Sequence, residues 1–80
     1  MSKNTQNLLS LLSKIFEVEV EAINDDTSPE NTSKWDSFNT LRMIMELENV
    51  FEIKLPLEEV VTIKSVKDIK KLLSDKGIAF

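Results

Sequence analysis

Three segments of this 80-residue chain repeat apolar residues with the spacing of an α-helix. The first segment predicts a helix from Thr5 to Val18. Its apolar side carries six residues: Leu8, Leu9, Leu11, Leu12, Ile15 and Phe16. A helix with such a face needs other elements to cover it, so this pattern favours a helical bundle.

The second segment predicts a helix from Ser37 to about Glu52. The side expected to be buried holds Leu41, Ile44, Leu47 and Phe51. Further apolar residues widen the arc at its two edges, Phe38 and Met45 at one and Met43 and Val50 at the other. Two interpretations follow: this helix exposes an apolar margin to a partner, or the core wraps further round it.

Pro56 is expected to break the second helix, because proline disfavours helical geometry at the preceding residue. The next segment, 57–61, is predicted to form a short helix with Pro56 at its first turn. The β-branched run 60–63 makes a short strand the alternative.

The third periodic segment predicts the last helix. Ser65 is expected to cap it, with Asp68 as the capping-box partner. Its apolar stripe holds Val66, Ile69, Leu72 and Leu73, and its opposite face carries lysines. Gly77, the single glycine of the chain, is expected in left-handed geometry just past the helix end.

Residues 20–34 are rich in turn formers, including Pro29, and predict a long ordered loop between the first two helices. Loops of this length are uncommon in compact domains and are often functional. The chain is therefore predicted to be all-α, a small four-helix bundle of three main helices and one short one. Its length leaves room for a single domain over residues 1–80.

The chain contains no cysteine and no histidine. It therefore cannot build a disulfide framework, a thiolate metal site, or a Ser–His or Cys–His catalytic pair. A Ser–Lys pair or a carboxylate pair is chemically conceivable, but a helical domain of this size offers little room for a water-excluding cleft. We expect a protein that is not an enzyme and that holds no metal.

The charge is unevenly placed along the chain. Residues 1–60 hold twelve acidic against five basic residues, whereas residues 61–80 carry a balance of +3 from five lysines. The acidic body argues against a nucleic-acid partner, and the lysine-rich end is predicted to be a solvated helix face. The leucine-rich run 8–13 is too short for a membrane span, and we expect a cytoplasmic monomer.

Ser37 admits two interpretations. Asp36 and Ser37 are both favoured at helix N-termini, where their oxygens accept backbone N–H groups, so the pair can be a capping element alone. Alternatively, the fold exists to present Ser37.

Motifs along nearly the whole chain bear on this choice. They are the leucine-rich first helix, the long loop, Asp36-Ser37-Phe38, Thr40-Leu41, the segments 46–51 and 53–56, and Thr62-Ile63-Lys64-Ser65-Val66. In this order and spacing the chain resembles the acyl carrier protein family, the phosphopantetheine-binding four-helix domains of fatty-acid, polyketide and peptide synthesis.

The resemblance implies that Ser37 carries a covalent 4′-phosphopantetheine arm, which a phosphopantetheinyl transferase (holo-ACP synthase) adds from coenzyme A. It implies that acyl groups are carried on this arm as thioesters, and that acyl-transferring or acyl-activating enzymes dock on the second helix. Asp36 is implied to help the synthase place magnesium and phosphate. A phosphodiester suits this position, since a helix N-terminus favours an anion.

Several residues depart from the family pattern. Trp35 replaces a frequent glycine and is expected to pack over the start of the second helix. Glu46, Glu48 and Glu52 keep part of the family's acidic face on that helix. Non-acidic residues stand where acids are usual: Asn39, Arg42, Asn49 and Val50. These changes suggest a specialised stand-alone carrier that discriminates against partners with a cationic patch.

The cargo stays open at this point. A cleft between the second and third helices is a candidate shelter for an acyl chain, lined by some of Phe38, Leu41, Leu47, Ile53, Leu55, Val60, Val61 and Ile63. These residues can equally pack against one another. The alternative functions are an aminoacyl or peptidyl carrier of the same fold, an unmodified helical interaction module, and a small lysine- or carboxylate-based enzyme.

Overall fold

A computed structural model describes residues 2–80, and Met1 lies outside the described residues. Within residues 2–80 the chain forms four α-helices and no strand. The helices are α1 (Lys3–Phe16), α2 (Ser37–Phe51), α3 (Leu57–Val60) and α4 (Val66–Asp75). The predicted all-α fold with three main helices and one short helix is confirmed, and so is the helical choice for α3 over a strand.

The hydrophobic core draws on α1, α2, α4 and the segments that connect them. Its buried members are Leu8, Leu9, Leu11, Leu12, Ile15, Phe16, Ile23, Trp35, Met43, Ile44, Leu47, Leu55, Val66, Ile69 and Leu73. All six residues predicted on the buried side of α1 are among them. Full burial of one large aliphatic side chain contributes about 1.5–3 kcal/mol, so α1 is the largest apolar contributor to the core.

The bounds of α1 differ from the predicted Thr5–Val18 at both ends. The Ser2 hydroxyl accepts a hydrogen bond from the Thr5 N–H at 3.1 Å, so the helix begins two residues earlier. Glu17 adopts left-handed geometry with φ of 56°, which ends the helix at Phe16.

The end of α2 is set before Pro56 is reached. Glu52 is left-handed, with φ of 54°, and terminates the helix after Phe51. The Glu48 carboxylate then accepts the Leu55 N–H at 2.8 Å, which holds the buried Leu55 against the helix. Glu48 was expected on a free acidic face, and this expectation is wrong because the side chain is half-buried and engaged with the backbone.

The buried side of α2 is rotated relative to the sequence prediction. Leu41, expected in the buried stripe, is 62% exposed, whereas Met43, expected at an edge, is fully buried. Ile44 and Leu47 are buried as predicted, and Phe51 is half-buried. The exposed apolar margin is confirmed and is made of Phe38, Leu41, Met45 and Val50.

The N-terminus of α4 is capped by the long loop and not by Ser65. The Ser65 side chain makes no capping hydrogen bond, and Asp68 accepts the Lys64 N–H instead of acting in a capping box. Val66 N–H donates to the Thr27 carbonyl at 2.9 Å, and Lys67 N–H donates to the Asp25 carbonyl at 3.1 Å. The second bond satisfies a donor that a serine cap could have served, and the first satisfies the Val66 N–H, which a serine cap would not reach.

The far end of α4 agrees with the prediction. Gly77 has φ of +95°, and the Ile78 N–H returns to the Leu73 carbonyl at 3.0 Å. The lysine face is mostly solvated, although Lys70 pairs with Asp25 and Lys76 pairs with Glu59, each at 2.8 Å.

The loop between α1 and α2 is ordered by its own side chains. It contains a short 3₁₀ turn, Val20–Ala22. Asn31 accepts the Ser28 N–H through Oδ1 at 2.9 Å and donates from Nδ2 to the Asp26 carbonyl at 3.0 Å. The Asn24 N–H donates to the Thr27 hydroxyl at 3.0 Å. The predicted long ordered loop is confirmed, and its last residues lead directly into α2.

Candidate functional site

Ser37 is the first residue of α2, and its side chain is exposed. Asp36 precedes it in extended geometry and caps the helix, since Asp36 Oδ1 accepts the Asn39 N–H at 2.8 Å. The Thr40 hydroxyl donates to the Asp36 carbonyl at 2.7 Å, and the Thr40 N–H donates to the same oxygen at 2.8 Å. Asp36 is therefore the capping residue, which leaves the Ser37 hydroxyl available to solvent.

The first turn of α2 offers backbone donors beside that hydroxyl. Within residues 2–80, the N–H groups of Ser37 and Phe38 have no protein acceptor, whereas the Asn39 N–H is taken by Asp36. The N-terminal end of a helix carries a partial positive charge of about half an elementary unit. An anionic group on Ser37 would meet both free donors and the favourable end of the dipole.

Trp35 fixes the approach to this turn. Its indole is buried and stacks on the Phe16 ring, with centroids 4.7 Å apart and planes 16° from parallel. Packing near the start of α2 was expected, and the aromatic partner proves to be the last residue of α1. This stacked contact between two aromatic rings holds the backbone just before Asp36 against the core.

An open depression of about 460 Å³ lies next to Ser37. Its lining is formed by Pro29, Trp35, Asp36, Ser37, Thr40 and Leu41. The predicted long loop therefore supplies one wall, through Pro29, and α2 supplies the other.

These residues fit a phosphate-linked chain. The exposed hydroxyl can accept a phosphodiester, the free N–H groups can receive its charge, and the depression can receive the uncharged part of the chain. Within residues 2–80, Lys34 is the basic residue nearest in sequence before Ser37, and it lies 3.8 Å from the Glu17 carboxylate. The free Ser37 and Phe38 N–H groups are the donors next to the hydroxyl that could hold the anion.

The residues proposed to line a cleft between α2 and α3 divide into three groups by their burial. Leu47 and Leu55 are buried in the core. Phe38, Leu41 and Val61 are exposed. The remaining three are half-buried: Ile53, Val60 and Ile63. Only the exposed and half-buried side chains can contact a cargo without rearrangement of the core.

Comparison with known proteins gives one consistent result. A family profile described as "Phosphopantetheine attachment site" matches residues 6–73. An acyl carrier protein of Prochlorococcus marinus (strain MIT 9515) is 31% identical over 71 residues, covering 89% of each chain. The solution structure of holo acyl carrier protein from Geobacter metallireducens is 25% identical, with a TM-score of 0.80 over 94% of this chain and 86% of that one.

A further solved structure, from Mycobacterium tuberculosis, shows the same fold at 20% identity, with a TM-score of 0.79 over 89% of this chain and 95% of that one. The fold and the matched domain are those of phosphopantetheine-binding carriers. This chain belongs to the acyl carrier protein family, whose members are non-catalytic carriers and whose domain is the attachment site of 4′-phosphopantetheine.

Two features of the site escaped the sequence prediction. Asn39 is buried and links the Lys34 carbonyl, at 2.7 Å, to the Arg42 guanidinium, at 3.0 Å. Pro29 joins the depression although it lies eight positions before Ser37. The Asn39–Lys34 bond and the position of Pro29 have no periodic signal in the sequence, because they depend on how the loop folds back on α2, whereas the Asn39–Arg42 bond follows the i,i+3 spacing of the helix. No helix among residues 2–80 has the length and apolar character to cross a membrane.

Proposed function

We propose that Ser37 carries 4′-phosphopantetheine and that this chain presents acyl groups to partner enzymes of fatty-acid or polyketide-like biosynthesis. The observation that carries the proposal is the exposed Ser37 hydroxyl at the open N-terminus of α2. The group supplies the thiol on which acyl cargo is held as a thioester, a function that a chain without cysteine cannot provide itself.

The residues around Ser37 have separate tasks in this proposal. The Ser37 and Phe38 N–H groups would receive the phosphodiester charge. Asp36 would hold the first turn through its capping bond to Asn39, while its second carboxylate oxygen remains available to the magnesium used by a phosphopantetheinyl transferase. Trp35 would keep this turn fixed against α1 while a partner approaches.

Partner enzymes are proposed to dock on the exposed margin of α2, which continues directly from Ser37. The side chains of Phe38, Leu41 and Met45 are 70%, 62% and 69% exposed. Exposed apolar side chains of this size on a small domain are typical of an interaction surface. A partner seated there would have its active site next to the attachment serine.

The charges of α2 support a specialised carrier over the housekeeping one of fatty-acid synthesis. Arg42 is exposed on the docking margin, and Glu48 is withdrawn to bind the Leu55 N–H. If purified fatty-acid elongation enzymes accepted the loaded protein as readily as a standard carrier, this part of the proposal would be wrong. An aminoacyl or peptidyl carrier is the second candidate, favoured by the same reduction in acidic character.

The test is an intact-mass measurement. The protein is incubated with coenzyme A, magnesium and a broad-specificity phosphopantetheinyl transferase. We expect the addition of one phosphopantetheinyl group to the wild-type chain and none to Ser37→Ala. Ser33→Ala is the matched control, because Ser33 is an exposed serine four residues away and should leave the addition intact. Circular dichroism of all three proteins establishes that the helices are retained.

Three results would contradict the proposal. Addition to Ser37→Ala would place the group on another residue. No addition to the wild-type chain with several transferases would favour an unmodified helical interaction module, and turnover by the unmodified chain would favour an enzyme.

A further inference from the structure

Arg42 lies within the exposed apolar margin of α2. At 100° per residue, one side of the helix carries Phe38, Arg42 and Met45. Arg42 lies about one turn after Phe38, and Met45 lies about two turns after it. The two apolar neighbours are largely exposed. Arginine, methionine and aromatic residues are the types enriched at the centres of protein interfaces, where lysine and glutamate are depleted.

The Arg42 guanidinium is positioned by a neutral group. Its Nη1 donates to Asn39 Oδ1 at 3.0 Å. Asn39 is buried and donates from Nδ2 to the Lys34 carbonyl at 2.7 Å, so its amide is held at both ends. Because the amide is uncharged, it orients the guanidinium without neutralising it, and the remaining donors of Arg42 stay open to a partner.

A second cation lies across a depression from Arg42. This depression, of about 320 Å³ between α1 and α2, is lined by Lys14, Ile15, Arg42, Met45 and Glu46. Within residues 2–80, neither Lys14 nor Arg42 has a carboxylate within 4.0 Å. Glu46 can offset one of the two cations, which leaves one positive charge beside an apolar wall.

We propose that Arg42 selects the partner: the enzyme surface that docks on α2 presents a carboxylate to Arg42, flanked by apolar side chains that cover Phe38 and Met45. The inference rests on the proposed function, because docking there brings the partner to Ser37. A partner with a cation at this position would place like charges together and lose both association rate and affinity. A protein partner fits better than a polyanionic surface, because apolar residues surround the cation and the chain has a net charge of −4.

A charge-exchange experiment with a phosphopantetheinyl transferase tests this proposal. The transferase is prepared in two forms that differ at one residue of the surface that docks on α2, with glutamate in one form and lysine in the other. The carriers are the wild-type chain, Arg42→Glu and Lys67→Glu. Lys67 is exposed on α4 and its side chain has no ion pair within the described residues, so Lys67→Glu changes the net charge equally at another surface.

The readout is kcat/KM for the mass addition, at low and high salt. We expect the glutamate form to load the wild-type chain about tenfold faster than the lysine form, the size expected for a close interfacial charge pair. Arg42→Glu should reverse this preference and Lys67→Glu should keep it. Added salt should reduce the difference.

The inference would be overturned if the two forms of the transferase loaded all three carriers in the same ratio. In that case the wild-type chain would still gain mass, and the proposed function would stand. No mass addition to the wild-type chain with either form would overturn the proposed function and this inference with it. Arg42→Gln, which removes the charge and keeps a polar side chain, should give an intermediate ratio and guards against an effect of the reversed charge on folding.

Discussion

The Trp35 indole stacks on the Phe16 ring at 4.7 Å between centroids, which joins the last residue of α1 to the residue that precedes the Asp36-Ser37 pair. Both rings are buried. The contact spans a loop of twenty residues and brings its two ends together. The position of Ser37 therefore depends on an aromatic pair as well as on the cap of its own helix.

Trp35→Ala should lower the free energy of unfolding by about 3 kcal/mol, the cost of removing a large buried aromatic side chain. Urea unfolding followed by circular dichroism measures this change. Phe38→Ala is the matched control, because Phe38 is 70% exposed and its loss should cost no more than about 0.5 kcal/mol. Equal destabilisation by the two substitutions would contradict the structural role given to Trp35.

Glu52→Gly should stabilise the protein by about 0.5–1 kcal/mol. Glu52 ends α2 with φ of 54°, a geometry that glycine adopts without strain and that other residues adopt at a cost. In a domain of this size that gain raises Tm by several degrees, by about 4–8 °C per kcal/mol, which scanning calorimetry resolves. The control is Glu19→Gly, since Glu19 has φ of −65° and glycine there should destabilise.

Two substitutions of Asp36 should separate its contribution to stability from the effect of its charge on loading. Asp36→Ala removes the acceptor of the Asn39 N–H and should cost about 1 kcal/mol. Asp36→Asn keeps an acceptor oxygen and should keep nearly all of the stability. If the carboxylate helps to place magnesium, both variants should be loaded more slowly by the transferase. Normal loading of Asp36→Asn would confine Asp36 to capping.

Asn31→Ala should destabilise the long loop. Asn31 makes hydrogen bonds with the Ser28 N–H, the Asp26 carbonyl and the Thr32 hydroxyl, and each such bond contributes about 0.5–1.5 kcal/mol. The total loss should be about 1.5–4.5 kcal/mol, measured by urea unfolding. Glu30→Ala, an exposed neighbour in the same loop, should leave the unfolding curve almost unchanged. A similar loss in both variants would show that the side-chain bonds of Asn31 are not responsible.

The sequence predicted the buried side of a helix correctly where the whole apolar face packs against the core. All six apolar residues of α1 are buried because that helix serves only the core. In α2 the apolar residues serve both the core and the outer margin, and periodicity alone cannot assign Leu41 and Met43 to the correct side. That distinction depends on how α1 packs against α2, which no local pattern records.

The capping of α4 shows a second limit of prediction from the sequence. Ser65 has the residue type and position of an N-cap, yet the carbonyls of Thr27 and Asp25, far earlier in the chain, accept the first N–H groups of the helix. A long-range backbone contact of this kind leaves no mark on side-chain chemistry. The Asn39–Arg42 contact, which orients the proposed selective cation, is of a different kind, because the two residues lie three apart on α2 and that spacing could have predicted it.

The carbonyls of Asp25 and Thr27 join the middle of the loop before α2 to the start of α4 through two backbone hydrogen bonds. Separating this loop from α4 would leave two amide N–H groups without an acceptor, one of them on the fully buried Val66. The free-energy cost would be about 1–3 kcal/mol for each group. The loop that leads to Ser37 is therefore anchored on the lysine-bearing α4 as well as on the core. The hydrogen-exchange rates of the Val66 and Lys67 amides, compared between the loaded and unloaded protein, would report whether loading changes the stability of these two bonds.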